Sequence, residues 1–226
     1  MPPAPRRLST GAIVGIVLGV VFGLPALSGV LLYVSSGGQG DRHHVPSLSR
    51  GGGGKGSERY RLTVPQALLD GQYTLVKDLS QTMDDSLAGE RNGRNEHNMK
   101  TVGGQYTATS GEGQQTLMAA GSYGEIDDPH HALDSTFRGM NENEGVTVTT
   151  PTKEITPPGA QEPLTCEVYA YVRSGQSGSI AVCGWSDRST VATVSVLNGS
   201  LDLDELAMKT SRIRGEMRVR VDQGAH

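Results

Sequence analysis

The sequence predicts an α+β fold: one N-terminal transmembrane helix, a flexible linker, then a mostly antiparallel sheet with two or three helices on one face. Three observations carry this. Residues 11–34 form an uncharged apolar run, residues 35–58 are polar and glycine-rich, and beyond them strand-like alternation is interleaved with two helical periodicities. The chain divides accordingly into a cytoplasmic tail (1–10), a transmembrane helix (11–34), a disordered Gly/Ser-rich linker (35–58) and an extracytoplasmic domain (59–222).

A helix over the 24 residues of the run covers roughly 36 Å, enough to span a hydrocarbon core of about 30 Å with some tilt. Arg6 and Arg7 precede it, whereas Ser35, Ser36, Gly37 and Gly38 follow. The positive-inside rule therefore keeps the N-terminus cytoplasmic and places the domain outside, tethered to the cell membrane by a single pass. A cleaved signal peptide is the competing reading, although its apolar region usually spans only about 7 to 15 residues. Arg6-Arg7 also invites a twin-arginine export reading, but the supporting flanks are missing. Gly11, Gly15, Gly19 and Gly23 recur on one helix face, a pattern that permits close approach of a second helix. Glycine is also simply common in membrane helices and in this chain, which holds 31. The expected partners are lipid along 11–34 and, through the glycine face, a second copy or another membrane protein. Pro25 withholds one helical hydrogen bond and predicts a mild kink.

Composition narrows the exported part. Arg6 and Arg7 leave 18 of the 20 basic residues outside against all 24 acidic ones, a net charge of −6. An acidic exterior argues against nucleic acid and anionic lipid surfaces as partners, since both are bound through excess Lys and Arg. Two Phe, one Trp and seven Tyr do not favour an aromatic-lined pocket. The two cysteines, Cys166 and Cys183, lie on the exported side, where disulfides persist, and read as a structural pair. His43 and His44 in the linker have no metal-ligating neighbours, and no cofactor or metal site is legible.

The domain begins near Arg59, where Tyr60, Leu62 and Val64 alternate with polar residues up to Pro65. A second short strand, residues 73–76, follows the Asp70-Gly71 turn. Residues 87–104 carry Asn92, Gly93, Asn95, Asn98, Gly103 and Gly104 and read as a long surface loop. Strand signals return at 105–109 and 116–126. Asp128 then serves as N-cap and Pro129 as first residue of an amphipathic helix carrying Leu133, Phe137 and Met140 on one face. His130 and His131 in its first turn read as one surface and one half-buried side chain.

Pro151, Pro157, Pro158 and Pro163 predict an irregular connection over 150–163. The midpoint between Cys166 and Cys183 falls between Ser174 and Gly175, so a two-residue turn there sets the cysteines opposite each other on an antiparallel hairpin and predicts a cross-strand disulfide. Ser177-Gly178 is the rival turn. Residues 190–197 form a further strand closed by Asn198-Gly199, which with Ser200 also matches a glycosylation acceptor. Asp202 caps a final helix in which Leu203, Leu206, Ala207, Thr210, Ile213 and Met217 recur at helical spacing, with Glu205 completing a capping box.

The run Cys183-Gly184-Trp185-Ser186-Asp187, followed by Thr190, Val191 and Val194, resembles a C-x-W-x-D stretch found in a group of actinobacterial single-pass membrane proteins. Pro65, Gly71 and Tyr73, and the stretch 121–129, resemble the same group. The resemblance spans most of residues 60–220 and implies a membrane-tethered exported domain of unassigned activity, with no catalytic residues to carry over.

The function these features favour is a tethered extracytoplasmic binding or sensing domain, with Trp185 and Asp187 as a candidate surface patch. The alternative is an envelope-acting enzyme that uses carboxylates such as Asp127, Asp128, Asp134 or Asp187. Convergence of these carboxylates in one cleft favours the enzyme.

Overall fold

The computed structural model describes residues 58–110, 115–173 and 176–221. The apolar run at 11–34 with Gly11, Gly15, Gly19 and Gly23, the linker to residue 57 and the Ser174-Gly175 turn lie outside the described residues. Among the described residues no helix is long and apolar enough to cross a membrane.

The alternation after residue 58 forms β1 (Arg59–Leu62). β2 (Ala67–Leu68) and β3 (Tyr73–Asp78) pair across a turn in which Leu69, Asp70 and Gly71 have φ of 55°, 56° and 81°. The left-handed Leu69 is held by its amide, which donates to Glu216 Oε2 at 2.9 Å. Next come α1 (Ser80–Ser86), a 3-10 turn (Ala88–Glu90) and β4 (Glu96–Ala108). The surface loop expected over 87–104 is therefore corrected, because β4 already starts at Glu96. Gly103 is there for closeness: a Cβ on it would lie 2.4 Å from Met83 Sδ of α1.

β5 (Thr116–Ile126) pairs with β4 and leads to α2 (Pro129–Asn141), where Asp128 Oδ1 accepts from the His131 amide at 3.1 Å and Pro129 opens the helix. The irregular connection expected over 150–163 is also corrected. β6 (Val146–Ile155) runs through Pro151. It lies at the sheet edge and its register slips between Thr150 and Lys153, so the missing proline amide breaks no continuous ladder.

β7 (Leu164–Arg173) and β8 (Gln176–Ser186) form the hairpin with the register expected from the cysteine spacing. Arg173 faces Gln176 and Cys166 faces Cys183, their Cα atoms 4.1 Å apart and their sulfurs bonded. β9 (Thr190–Leu197), α3 (Leu203–Met217) and β10 (Arg218–Val221) complete the chain. Asp202 Oδ1 accepts from the Asp204 and Glu205 amides, while Glu205 itself holds Lys209 Nζ at 2.6 Å.

Eight strands make one antiparallel sheet in the order β2-β3-β4-β5-β9-β8-β7-β6. β1 and β10 form a separate antiparallel ribbon that joins the two ends of the domain. The expectation of helices on one face is corrected by the strand parities. Ala181, Cys183 and Trp185 of β8 share a core with Leu206, Ala207 and Ile213 of α3. Their neighbours Ile180 and Val182 point the other way and pack with Leu133, Phe137 and Met140 of α2. Met118 and Ala120 of β5 meet Leu79 and Met83 on that second side. The sheet is thus a middle layer, with α1 and α2 on one face and α3 on the other. Seven of the eight residues of β9 are buried, the pattern of a strand covered from both sides.

Candidate functional site

At the end of the sheet where β8 turns into β9, a cleft of about 810 Å³ opens between α2, α3 and the ribbon. One wall is the C-terminal part of α3. Ser211, Arg214 and Gly215, then Arg218 just past the helix, are three to four residues apart and so share one face. The opposite wall holds Pro129, His130 and Leu133 from the first turns of α2, and residues 160–163 with Thr165 close the side. The floor is the turn at residues 186–188.

Asp187 shapes that turn. Its Oδ1 accepts from the Ser189 amide at 2.8 Å, Ser189 Oγ at 2.7 Å and the Thr190 amide at 3.0 Å, while Oδ2 accepts from Thr190 Oγ1 at 2.6 Å. A short acidic side chain capping its own following amides is a common way to fix a tight turn. Arg218 Nη2 then lies 3.4 Å from Asp187 Oδ2, with both side chains 17% exposed. The Arg218 guanidinium sits 3.6 Å above the centre of the Tyr60 ring, a stacked cation–π contact. Tyr60 donates its hydroxyl to Glu58 Oε2 at 2.5 Å and its amide to Ser189 Oγ at 3.0 Å. Glu58 Oε1 lies 2.9 Å from Arg220 Nη1, and Arg214 pairs with Glu162. The contacts run from Arg220 in the ribbon through Glu58, Tyr60 and Arg218 to Asp187 in the β8–β9 turn, and the Arg214–Glu162 pair is a separate ion pair in the same cleft.

The network biases its own titration. The hydrogen bond to Glu58, followed by burial, raises the Tyr60 phenol against the opposing pull of Arg218 and Arg220. Burial lowers Arg218, Asp187 pulls it back, and Arg214 adds to the fall.

The residues singled out from sequence separate here. Asp187 lines the cleft, but Trp185 is 1% exposed and belongs to the α3-side core with the disulfide, so the pair is not a surface patch. The C-x-W-x-D run has a packing logic. Cys183 and Trp185 face α3. Gly184 faces α2, where a Cβ would come within 3.1 Å of Leu133 and Phe137, and Asp187 caps the turn. Of the four carboxylates considered for catalysis only Asp187 reaches the cleft; Asp127 Oδ2 lies 3.1 Å from His97 Nε2, Asp128 caps α2, and Asp134 is exposed on α2. His130 and His131 are both exposed, and His130 lines the cleft. No group of three or more His, Cys, Asp or Glu among the described residues is placed to hold a metal ion.

Sequence reasoning missed Tyr60, Arg214 and Arg218 as a group, and it assigned Glu58 to the linker. A signal existed for the two arginines, whose spacing of four continues the α3 face past its last apolar residue, Met217.

No protein-family model matches the chain, and no curated protein matches it. Among solved structures it is similar to LpqN of Mycobacterium tuberculosis, a protein involved in cell envelope biogenesis. The two are 17% identical over 75% of this chain and 87% of LpqN, with a TM-score of 0.37. A likeness that loose transfers neither activity nor site residues, and it does not extend the C-x-W-x-D resemblance.

Proposed function

We propose that the chain is a membrane-tethered extracytoplasmic binding module whose cleft at the β8–β9 end of the sheet receives a small polar ligand. The carrying observation is a cleft in the size range of ligand sites whose least exposed charges are already neutralised by partners in its own walls. Such walls present fixed donors and acceptors. The facing cysteines support an oxidising compartment, and the apolar run at 11–34 supplies the anchor.

The test is a photo-crosslinking amino acid placed in the full chain at Gln161 or Ser211 in intact cells, with Thr147 on the outer strand β6 as reference. Adducts specific to Gln161 and Ser211 support the module. No adduct at either cleft position, or equal labelling at Thr147, rejects it.

A further inference from the structure

Resting on that reading, we infer that the ligand is an uncharged, hydroxyl-rich molecule, a segment of a neutral saccharide chain. The charge pattern of the cleft leads there. Arg188, Arg214 and Arg218 line it against Glu58, Glu154, Glu162 and Asp187, and Arg220 joins from outside the lining to pair with Glu58. The cleft as a whole therefore carries almost no net charge.

A site built for an anion or a cation keeps a sheltered, unmatched charge for it. Here the sheltered charges are matched within the wall: Arg214, 13% exposed, by Glu162, and Arg218 by Asp187. The unmatched ionisable groups, Arg188, Glu154 and His130, are exposed, with Arg188 and Glu154 of opposite sign, so water and salt screen whatever they offer. The apolar lining is made of small patches, Pro129, Leu133, Ala160 and Pro163, and the Tyr60 ring already carries Arg218 on one face.

What remains is a dense set of oriented donors and acceptors. Paired guanidinium and carboxylate groups hold one another still, and Gln161, Ser211 and Glu154 add free polar atoms around the opening. A hydroxyl both donates and accepts, so a polyol can satisfy neighbouring groups of both kinds at once. A carboxylate or phosphate ligand accepts only, and leaves the acceptors of Glu154, Glu162 and Asp187 without a donor from the ligand.

The test is ligand-observed NMR and calorimetry on the full chain in detergent, with maltotriose, xylotriose and a chitin trisaccharide as neutral probes and inorganic phosphate, citrate and triglycine as charged ones. The expected result is binding of at least one trisaccharide, with affinity constant from low to high salt. Glu154→Gln and Gln161→Ala should each weaken it about fivefold without moving the unfolding midpoint, as for the loss of one ordinary hydrogen bond. Binding of no trisaccharide overturns the inference, as does saccharide binding that both variants leave unchanged. If phosphate, citrate or triglycine binds instead and Gln161→Ala or salt weakens it, the cleft remains a ligand site and only the ligand class is wrong. If cleft crosslinking also fails, the binding-module reading falls with it.

Discussion

At the scale of single residues, Asp187 has the most demanding position. It accepts four hydrogen bonds from Ser189 and Thr190 and faces the guanidinium that covers Tyr60. Replacing it by alanine removes all of these and leaves Arg218 poorly solvated. Asp187→Ala should cost about 3 kcal/mol, a fall of roughly 6 to 12 °C in thermal midpoint by calorimetry. Asp134→Ala, on the exposed side of α2, should stay within about 0.5 kcal/mol. Tyr106 and Tyr169 make a second residue-scale prediction. Burial raises both phenols well above the usual range, helped by Asp78 and Glu216 at Tyr106 and by Glu167 at Tyr169. The unfolded phenols ionise near 10.0 and the folded ones later, so this contribution is full below pH 10 and declines above it. Stability measured by urea titration should fall above pH 10 by about 1.4 kcal/mol per pH unit for each tyrosine. The Tyr106 hydroxyl is buried without a hydrogen-bond partner. Tyr106→Phe should therefore be nearly neutral at pH 7 and should flatten the alkaline fall.

Among the elements, the β7–β8 hairpin shows how spacing becomes structure. The cysteines are 17 positions apart, the register places them face to face, and both are 0% exposed beneath α3. Cross-linking a loop of this length limits the unfolded chain, so Cys166→Ala with Cys183→Ala should cost about 3 kcal/mol or somewhat more, read as a lower guanidinium midpoint. An unchanged midpoint would show that the staple is not formed. The hairpin was legible because its signals are local: period-two alternation and a countable turn. α2 and α3 were legible for the same reason, through Asp128 and Asp202 as caps and apolar stripes at helical spacing. β4 and β6 were not, since their glycines, asparagines and proline resemble loop chemistry. What makes them strands is contact far along the chain, Gly103 under Met83 and Pro151 at an unpartnered edge.

For the whole molecule, the ribbon of β1 and β10 matters most, because it fastens the start of the domain to its end and brings Tyr60 and Arg218 together above the β8–β9 turn. It holds four pairs and lies outside the main sheet. Ending the chain at Met217 removes the partner of β1 and the cover of Tyr60. Amide hydrogen exchange at residues 59–62 should then accelerate strongly, while β5, β8 and β9 in the middle of the sheet keep their protection. Equal acceleration throughout would mean that the ribbon instead belongs to the global folding unit.

By itself the sequence determined the anchor-like run and its orientation signals, the existence and limits of α2, β9 and α3, and the pairing of Cys166 with Cys183. These follow from patterns read within one helix, one strand or one hairpin. Only the tertiary structure decided which sheet face each helix covers, that Trp185 is core rather than surface, and that Glu58, Tyr60, Asp187, Arg214 and Arg218 share one cleft. The physical reason is sequence distance. Tyr60 and Asp187 are brought together by the pairing of chain ends and the stacking of layers, and those choices are settled by the burial of the whole sheet.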